Sequence, residues 1–336
     1  MINASERFKG EAFCRGVISR LGFAFLAGAL IIQLISGVLV FILGLFFPTE
    51  TLSGNMELAV SSVAVYLCGL PIAVLIAKGI PHVHPIRNSI RPARYAKAFL
   101  LCYAIVFFSN LLGNMLTGIV SFLRQSPVNN GVLDLMENTS FPLQLLCAVF
   151  IAPVMEELVF RKLIVDRTLM LGDKTAIFIS GLTFGLFHGN LNQFVYAFTL
   201  GMFLAYLYIR TGNIRISISL HMLINFISSV VGFLMIDCLD IDKLISASES
   251  TDPTELIMFT LDNLPVMIVI SLYTMALMVV VAVGAVLLVL SRKKFRLLKG
   301  EIVIPGDSFA RTVFLNPGML SFAVFFLVMI IMQLFE

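Results

Sequence analysis

Nine stretches of this 336-residue chain are apolar over lengths that the core of a soluble domain does not need: about residues 21–47, 58–79, 96–123, 142–163, 174–188, 192–209, 214–236, 264–290 and 313–335. Most reach the 18 or more residues that cross a hydrocarbon layer of about 30 Å. All are read as helices, since an open strand edge could not satisfy its backbone in lipid. The expected fold is therefore all-α, a polytopic transmembrane helical bundle of about eight to nine spans. Composition agrees: 59% of the residues are hydrophobic and 13% charged, and the mean hydropathy is +0.99. The span at 174–188 is the shortest and the weakest of the nine.

Lysine and arginine fall in alternate loops. They cluster at the N-terminus, in "KGIPHVHPIRNSIRPARYAK", in "RKLIVDRTLMLGDK", at Arg210 and Arg215, and in "SRKKFRLLKG", whereas the loop at 237–263 carries seven acidic residues against Lys243 alone. Positive-inside logic then puts the N-terminus in the cytoplasm and the C-terminus outside. The protein is expected to be a multi-pass integral membrane protein of the plasma membrane. A net charge of +3, spread over short clusters, excludes nucleic acid as a partner. The first apolar run is too long for a signal-peptide core and reads as an uncleaved span. Five scattered cysteines without a C-x-x-C pair indicate neither a disulfide framework nor a thiolate metal site. Four regions follow: N-terminal spans in 1–140, a polar helical core in 141–236, an external acidic loop at 237–263 that reads as a solvated linker, and C-terminal spans in 264–336. The "HVH" at 82–84, with no acidic companion in its own loop, reads as solvated.

Ionisable side chains at membrane depth are costly, so each is a functional hypothesis in need of a partner. Here they gather between residues 142 and 236: Glu156 with Glu157, His188, His221, and the polar Asn225. Neighbouring helical positions point about 100° apart, so the two glutamates cannot share one cavity. Arg161 follows Glu157 at i,i+4 in the favourable order for an ion pair, which leaves Glu156 free for chemistry. Glu156 and His188 each lie sixteen residues from Gly172, about 24 Å at 1.5 Å per residue, so they can meet across an antiparallel pair that turns there. They are expected to face one cavity open towards the cytoplasm, with "HGNLNQ" lining it and "RKLIVDR" carrying the preceding helix beyond the bilayer. His221 and Asn225, also at i,i+4, would aim two hydrogen-bond donors at one place, as an oxyanion requires. A glutamate beside a histidine suits activation of water as a general base.

The set E-E-x-x-x-R (Glu156, Glu157, Arg161), F-x-x-x-H (Phe184, His188) and H-x-x-x-N (His221, Asn225) resembles the motifs of the CAAX-processing and bacteriocin-processing (CPBP, or Abi) intramembrane proteases. The resemblance covers about residues 142–230, with no departure at the motif positions. It implies an intramembrane endopeptidase in which Glu156 and His188 activate water, His221 and Asn225 hold the oxyanion, and Glu157, Arg161 and Phe184 support the site. The substrate would be a membrane-anchored or amphipathic peptide, CAAX-like or bacteriocin-like. The family is commonly classed with the metalloproteases, and Glu156, His188 and His221 could form a three-ligand zinc site. The metal-free mechanism is favoured, because His221 with Asn225 suits an oxyanion hole better than a ligand pair. Two other functions compete: a proton-linked transporter relaying protons through Glu156 and His188, and a non-catalytic self-immunity or scaffold protein. The oligomeric state is not legible.

Overall fold

A computed structural model describes residues 4–335 except 48–52, 130, 235–237, 240, 303 and 305. Asp237 and Asp240 of the acidic loop thus lie outside the described residues. The regular structure of the described residues is helical, apart from one isolated β-bridge between Gly172 and Lys299. Its helices are α1 (Ala4–Phe46), α2 (Gly54–Ala77), α3 (Pro92–Arg124), the short α4 (Gly131–Glu137), α5 (Phe141–Leu171), α6 (Asp173–Phe187), α7 (Leu191–Thr211), α8 (Ile214–Phe233), α9 (Ile241–Glu249), α10 (Pro253–Asp262), α11 (Leu264–Lys294), α12 (Gly306–Val313) and α13 (Pro317–Gln333). Seven of them are long and apolar enough to cross a membrane, and α12 with α13, bent by 61°, makes an eighth candidate.

The missing ninth is α6, whose 15 residues extend about 22 Å. Contacts at its two ends nevertheless show that it runs from one side of the bundle to the other. At the basic end, Val83 N–H reaches the Asp166 carbonyl, Asn88 N–H reaches the Thr211 carbonyl, and Arg210 pairs with Asp173. At the opposite end, Gln333 bonds both the Asn129 carbonyl and the Leu191 N–H, while Ser140 N–H bonds Asn55. Asp173 and Leu191 flank α6 and belong to opposite groups, so α6 is a short traverse.

Local sequence explains the turns. Gly172 takes φ +96°, a left-handed conformation open to glycine, and reverses the chain between α5 and α6. The Asn190 side chain accepts the Gln193 N–H and caps α7, which ends on Gly212 at φ +56°. The α6–α7 contact is built on small residues: a Cβ at Gly185 would stand 2.9 Å from Phe198 Cβ, and one at Gly201 would stand 3.0 Å from the Gly181 Cα. Small residues at such crossings let the backbones approach closely.

The polar core occupies the centre. In α7, 56% of the most apolar stretch is buried, against 6% in α1 and α11, which lie at the periphery. Rings of Phe25, Phe160, Phe184 and Phe322 fill the interior without solvent contact.

Three segments differ in part from expectation. "RKLIVDR" continues α5, as expected, but it is packed inside the bundle: Arg161 is 0% exposed, and Asp166 and Arg167 are buried too. Arg167 donates to the carbonyls of Ala77, Lys78 and Leu163, so the end of α5 lies under the chain that leaves α2. The His84 side chain is 56% exposed, as expected, but it has an acidic partner. Its Nδ1 stands 2.6 Å from Asp166 Oδ2, and Lys162 and Tyr208 also reach that carboxylate, at 2.9 Å and 2.8 Å. Its companion was distant in sequence, not absent. The acidic loop, expected as a linker, forms α9 and α10, with Asp252 capping α10 through the Thr254 N–H. Their solvent exposure is as expected, and no residue of α10 is buried.

Candidate active site

Glu156 closes an α-helical turn (Ala152–Glu156) set between two π-helical stretches of α5, Leu145–Ile151 and Glu157–Val165. π-helical turns are uncommon and cluster at functional sites, where they re-aim side chains. Pro153 marks the break. In the first π stretch the Ala152 N–H reaches back to the Cys147 carbonyl. The next such bond would run from residue 153 to the Ala148 carbonyl, but proline has no N–H to give. Asn225 fills the gap, donating Nδ2 to the Ala148 carbonyl at 2.8 Å.

Glu156 is bound from two sides. The Tyr66 hydroxyl donates to Oε1 at 3.2 Å, and His221 Nε2 lies 3.8 Å from Oε2. Its side chain keeps 13% exposure, whereas Glu157 is fully buried. Glu157 sits 2.9 Å from Arg161 Nη2 and 3.1 Å from His221 Nδ1. His221 therefore bridges the two glutamates, one ring nitrogen to each.

His188 caps the end of α6, and its Nδ1 lies 2.8 Å from the Phe184 carbonyl. A carbonyl only accepts, so Nδ1 carries the hydrogen, and in the neutral ring Nε2 is left as a proton acceptor. His188 lies within electrostatic range of Glu156 and of His221. Phe184 organises the group: Arg161 stacks on its face at 4.6 Å, and the His188 and His221 rings meet it edge-on at 4.9 and 5.7 Å.

Glu156, Glu157, Arg161, Phe184, His188 and His221 are thus brought together. Asn225, one turn after His221 on α8, gives one amide hydrogen to the Ala148 carbonyl of α5. Two tyrosines complete the site without having been singled out. Tyr66 comes from the π-helical middle of α2, and Tyr196 of α7 stands 6.5 Å, ring to ring, from His188. A phenol in the middle of an apolar span, away from the interface where tyrosines gather, is the signal that could have marked Tyr66.

A cavity of about 470 Å³ adjoins the group, with Tyr196, Asn225 and Ala148 in its wall. Asn192 and Gln193 line it but Glu156 and His188 do not, and its other walls include Asn110, Asn114, Gln144 and Ser228. These lie far along their helices from the basic end, so the space beside the site belongs to the opposite half of the bundle. The expected opening towards the cytoplasm is not the one this lining describes.

A metal at this site would need Glu156, His188 and His221 to converge. Among the described residues no three His, Cys, Asp or Glu side chains are arranged to hold an ion, so the set as it stands does not fit one.

Comparison with known proteins bears on the same stretch. Residues 138–227, which span α5 to α8, match the family model of the type II CAAX prenyl endopeptidase Rce1-like proteins. The chain is also 27% identical over 174 residues to a Bacillus subtilis (strain 168) protein named "Putative membrane peptidase YdiL", an alignment covering 49% of this chain and 68% of the relative. No solved structure matches it.

Proposed function

We propose that this protein is an integral membrane protease of the CPBP family, a reading that the match at residues 138–227 supports, and that it hydrolyses a peptide bond of a membrane-anchored or amphipathic peptide by direct attack of water. The supporting observation is the double hold on Glu156: Tyr66 and His221 fix its carboxylate while it keeps 13% exposure next to a histidine with a free Nε2. A buried base in a fixed orientation is what general-base catalysis asks for.

In this reading Glu156, assisted by His188 Nε2, takes a proton from a water molecule whose oxygen adds to the scissile carbonyl carbon. The carbonyl oxygen becomes the oxyanion. His221 serves it as a donor through Nε2, which turns from Glu156 to the oxyanion as substrate enters. Asn225 offers the amide hydrogen that Ala148 does not take. The C–N bond then breaks as the tetrahedral centre collapses, and the proton held by Glu156 passes to the leaving amine. Water supplies every atom added, and no step requires a metal. Glu157, Arg161 and Phe184 position His221 and His188. Residues 141–236 form the catalytic core, flanked by 1–140 and 264–336, in a plasma-membrane protein with a cytoplasmic N-terminus. CAAX-like and bacteriocin-like peptides are the substrate classes to try first.

The test is cleavage of a membrane-anchored peptide library by purified protein in lipid. Glu156→Gln should abolish turnover while peptide binding survives, and a chelator should leave wild-type turnover intact. Loss of turnover with chelator would overturn the metal-free step. Full activity of Glu156→Gln would overturn the glutamate base.

A further inference from the structure

A second cavity, of about 520 Å³, opens at the basic end between α3, α7 and α11, away from the candidate active site. Four cations reach it: Arg94 and Lys97 from the start of α3, Arg210 from the last turn of α7, and Lys294 from the end of α11. No aspartate or glutamate lines it. Only Arg210 has an acidic partner among the described residues, Asp173, and its Nε remains without a hydrogen bond. Three cations without an acidic partner thus share one space, an arrangement that an anion among them would stabilise.

An independent observation points to the same ligand. Ser291, 4% exposed, lines this cavity with a hydroxyl that has no hydrogen-bond partner. Buried hydroxyls ordinarily bond, and a helical serine can turn to its own backbone to do so. Here the donor is left over beside the cations. Further in, the wall becomes apolar, with Leu101, Phe203 and Leu207. A free phosphate would satisfy the charges and leave that wall wet; a phosphate carrying acyl chains would cover both.

From these we infer that the cavity is a binding site for an anionic phospholipid, its phosphate among Lys97, Lys294 and Ser291 and its acyl chain along the Leu101–Phe203 wall. It is formed by helix ends at the basic side of the bundle, which positive-inside logic assigns to the cytoplasm, where anionic lipid meets basic pockets between helices. The inference is independent of the protease chemistry.

The experiment is native mass spectrometry of the delipidated full chain in detergent, offered phosphatidylglycerol, phosphatidylcholine or inorganic phosphate. One phosphatidylglycerol should be retained in preference to phosphatidylcholine, and millimolar phosphate should fail to displace it. Lys97→Gln with Lys294→Gln should weaken retention roughly ten- to thirtyfold, and Ser291→Ala by a smaller factor. The paired change Arg292→Gln with Lys293→Gln, at exposed neighbours outside the lining, should leave it unchanged. Equal retention of phosphatidylcholine, or undiminished phosphatidylglycerol in the Lys97/Lys294 variant, would overturn the site. Displacement by phosphate would make it a site for a free anion and overturn the lipid.

Discussion

Asn225 gives its side-chain amide to the Ala148 carbonyl, which Pro153 deprives of a backbone donor. One side chain thereby serves two purposes, helix repair and, in the proposed mechanism, oxyanion binding, and loss of activity on its removal would not separate them. Asn225→Ala should lower stability by about 1–3 kcal/mol through the unsatisfied carbonyl and should also lower turnover. Adding Pro153→Ala returns an N–H to the π-helical turn and should recover stability without turnover. Recovery of both, in thermal melts and cleavage assays of the double variant, would reduce Asn225 to a support for α5.

Tyr66 donates to Glu156 across 90 positions of sequence. Tyr66→Phe removes one bond to the charged base and leaves the ring in place. Turnover should fall about tenfold, matching the roughly 1.5 kcal/mol of a hydrogen bond to a charged group, with substrate affinity unchanged. An unchanged kcat would remove Tyr66 from the machinery.

Glu157 and Arg161 are both fully buried. Glu157→Gln strands the guanidinium in the core, and the cost should be about 3–5 kcal/mol. Combining it with Arg161→Met should recover much of that stability, because the Gln–Met pair carries no unpaired charge. Melting temperatures in lipid nanodiscs for the two singles and the double would check this.

Gly185 faces Phe198 across the α6–α7 contact, where an added Cβ would meet Phe198 Cβ at 2.9 Å. Gly185→Val should push α6 away and carry His188 with it, costing about 1–3 kcal/mol from overpacking and reducing turnover further than stability alone explains. Gly118 has open space around it. Gly118→Ala should be neutral or mildly stabilising, as expected where an added methyl meets nothing.

The sequence made the spans legible because their apolar runs match the bilayer, and it made the buried pair legible because Glu157 and Arg161 sit on one helix at a fixed spacing. The turn at Gly172 brought α6 back along α5 and His188 towards Glu156. Cross-helix relationships were hidden. Tyr66 reaches Glu156 from another span, and Asp166 meets His84 from 82 positions away; no periodicity encodes such pairs. The π-helical winding of α5 was equally hidden, since it changes which carbonyls need donors without changing the apolar pattern. The short reach of α6 and the side on which the cavity lies depend on how the helices stagger, which span lengths do not report.

Gly318 at the start of α13 gives its N–H to the Ser19 hydroxyl at 3.0 Å, joining positions 299 apart in the chain. Translation at about 5–20 residues per second would leave α1 in the membrane for some tens of seconds before α13 exists to cover that side of it. During that interval the exposed seat is open to lipid tails or to an insertase. Glycine suits the late arrival, because a Cβ at this position would clash with the Ser19 carbonyl. Birth order thus makes α1 a helix kept waiting, and its vulnerable period lies on the ribosome.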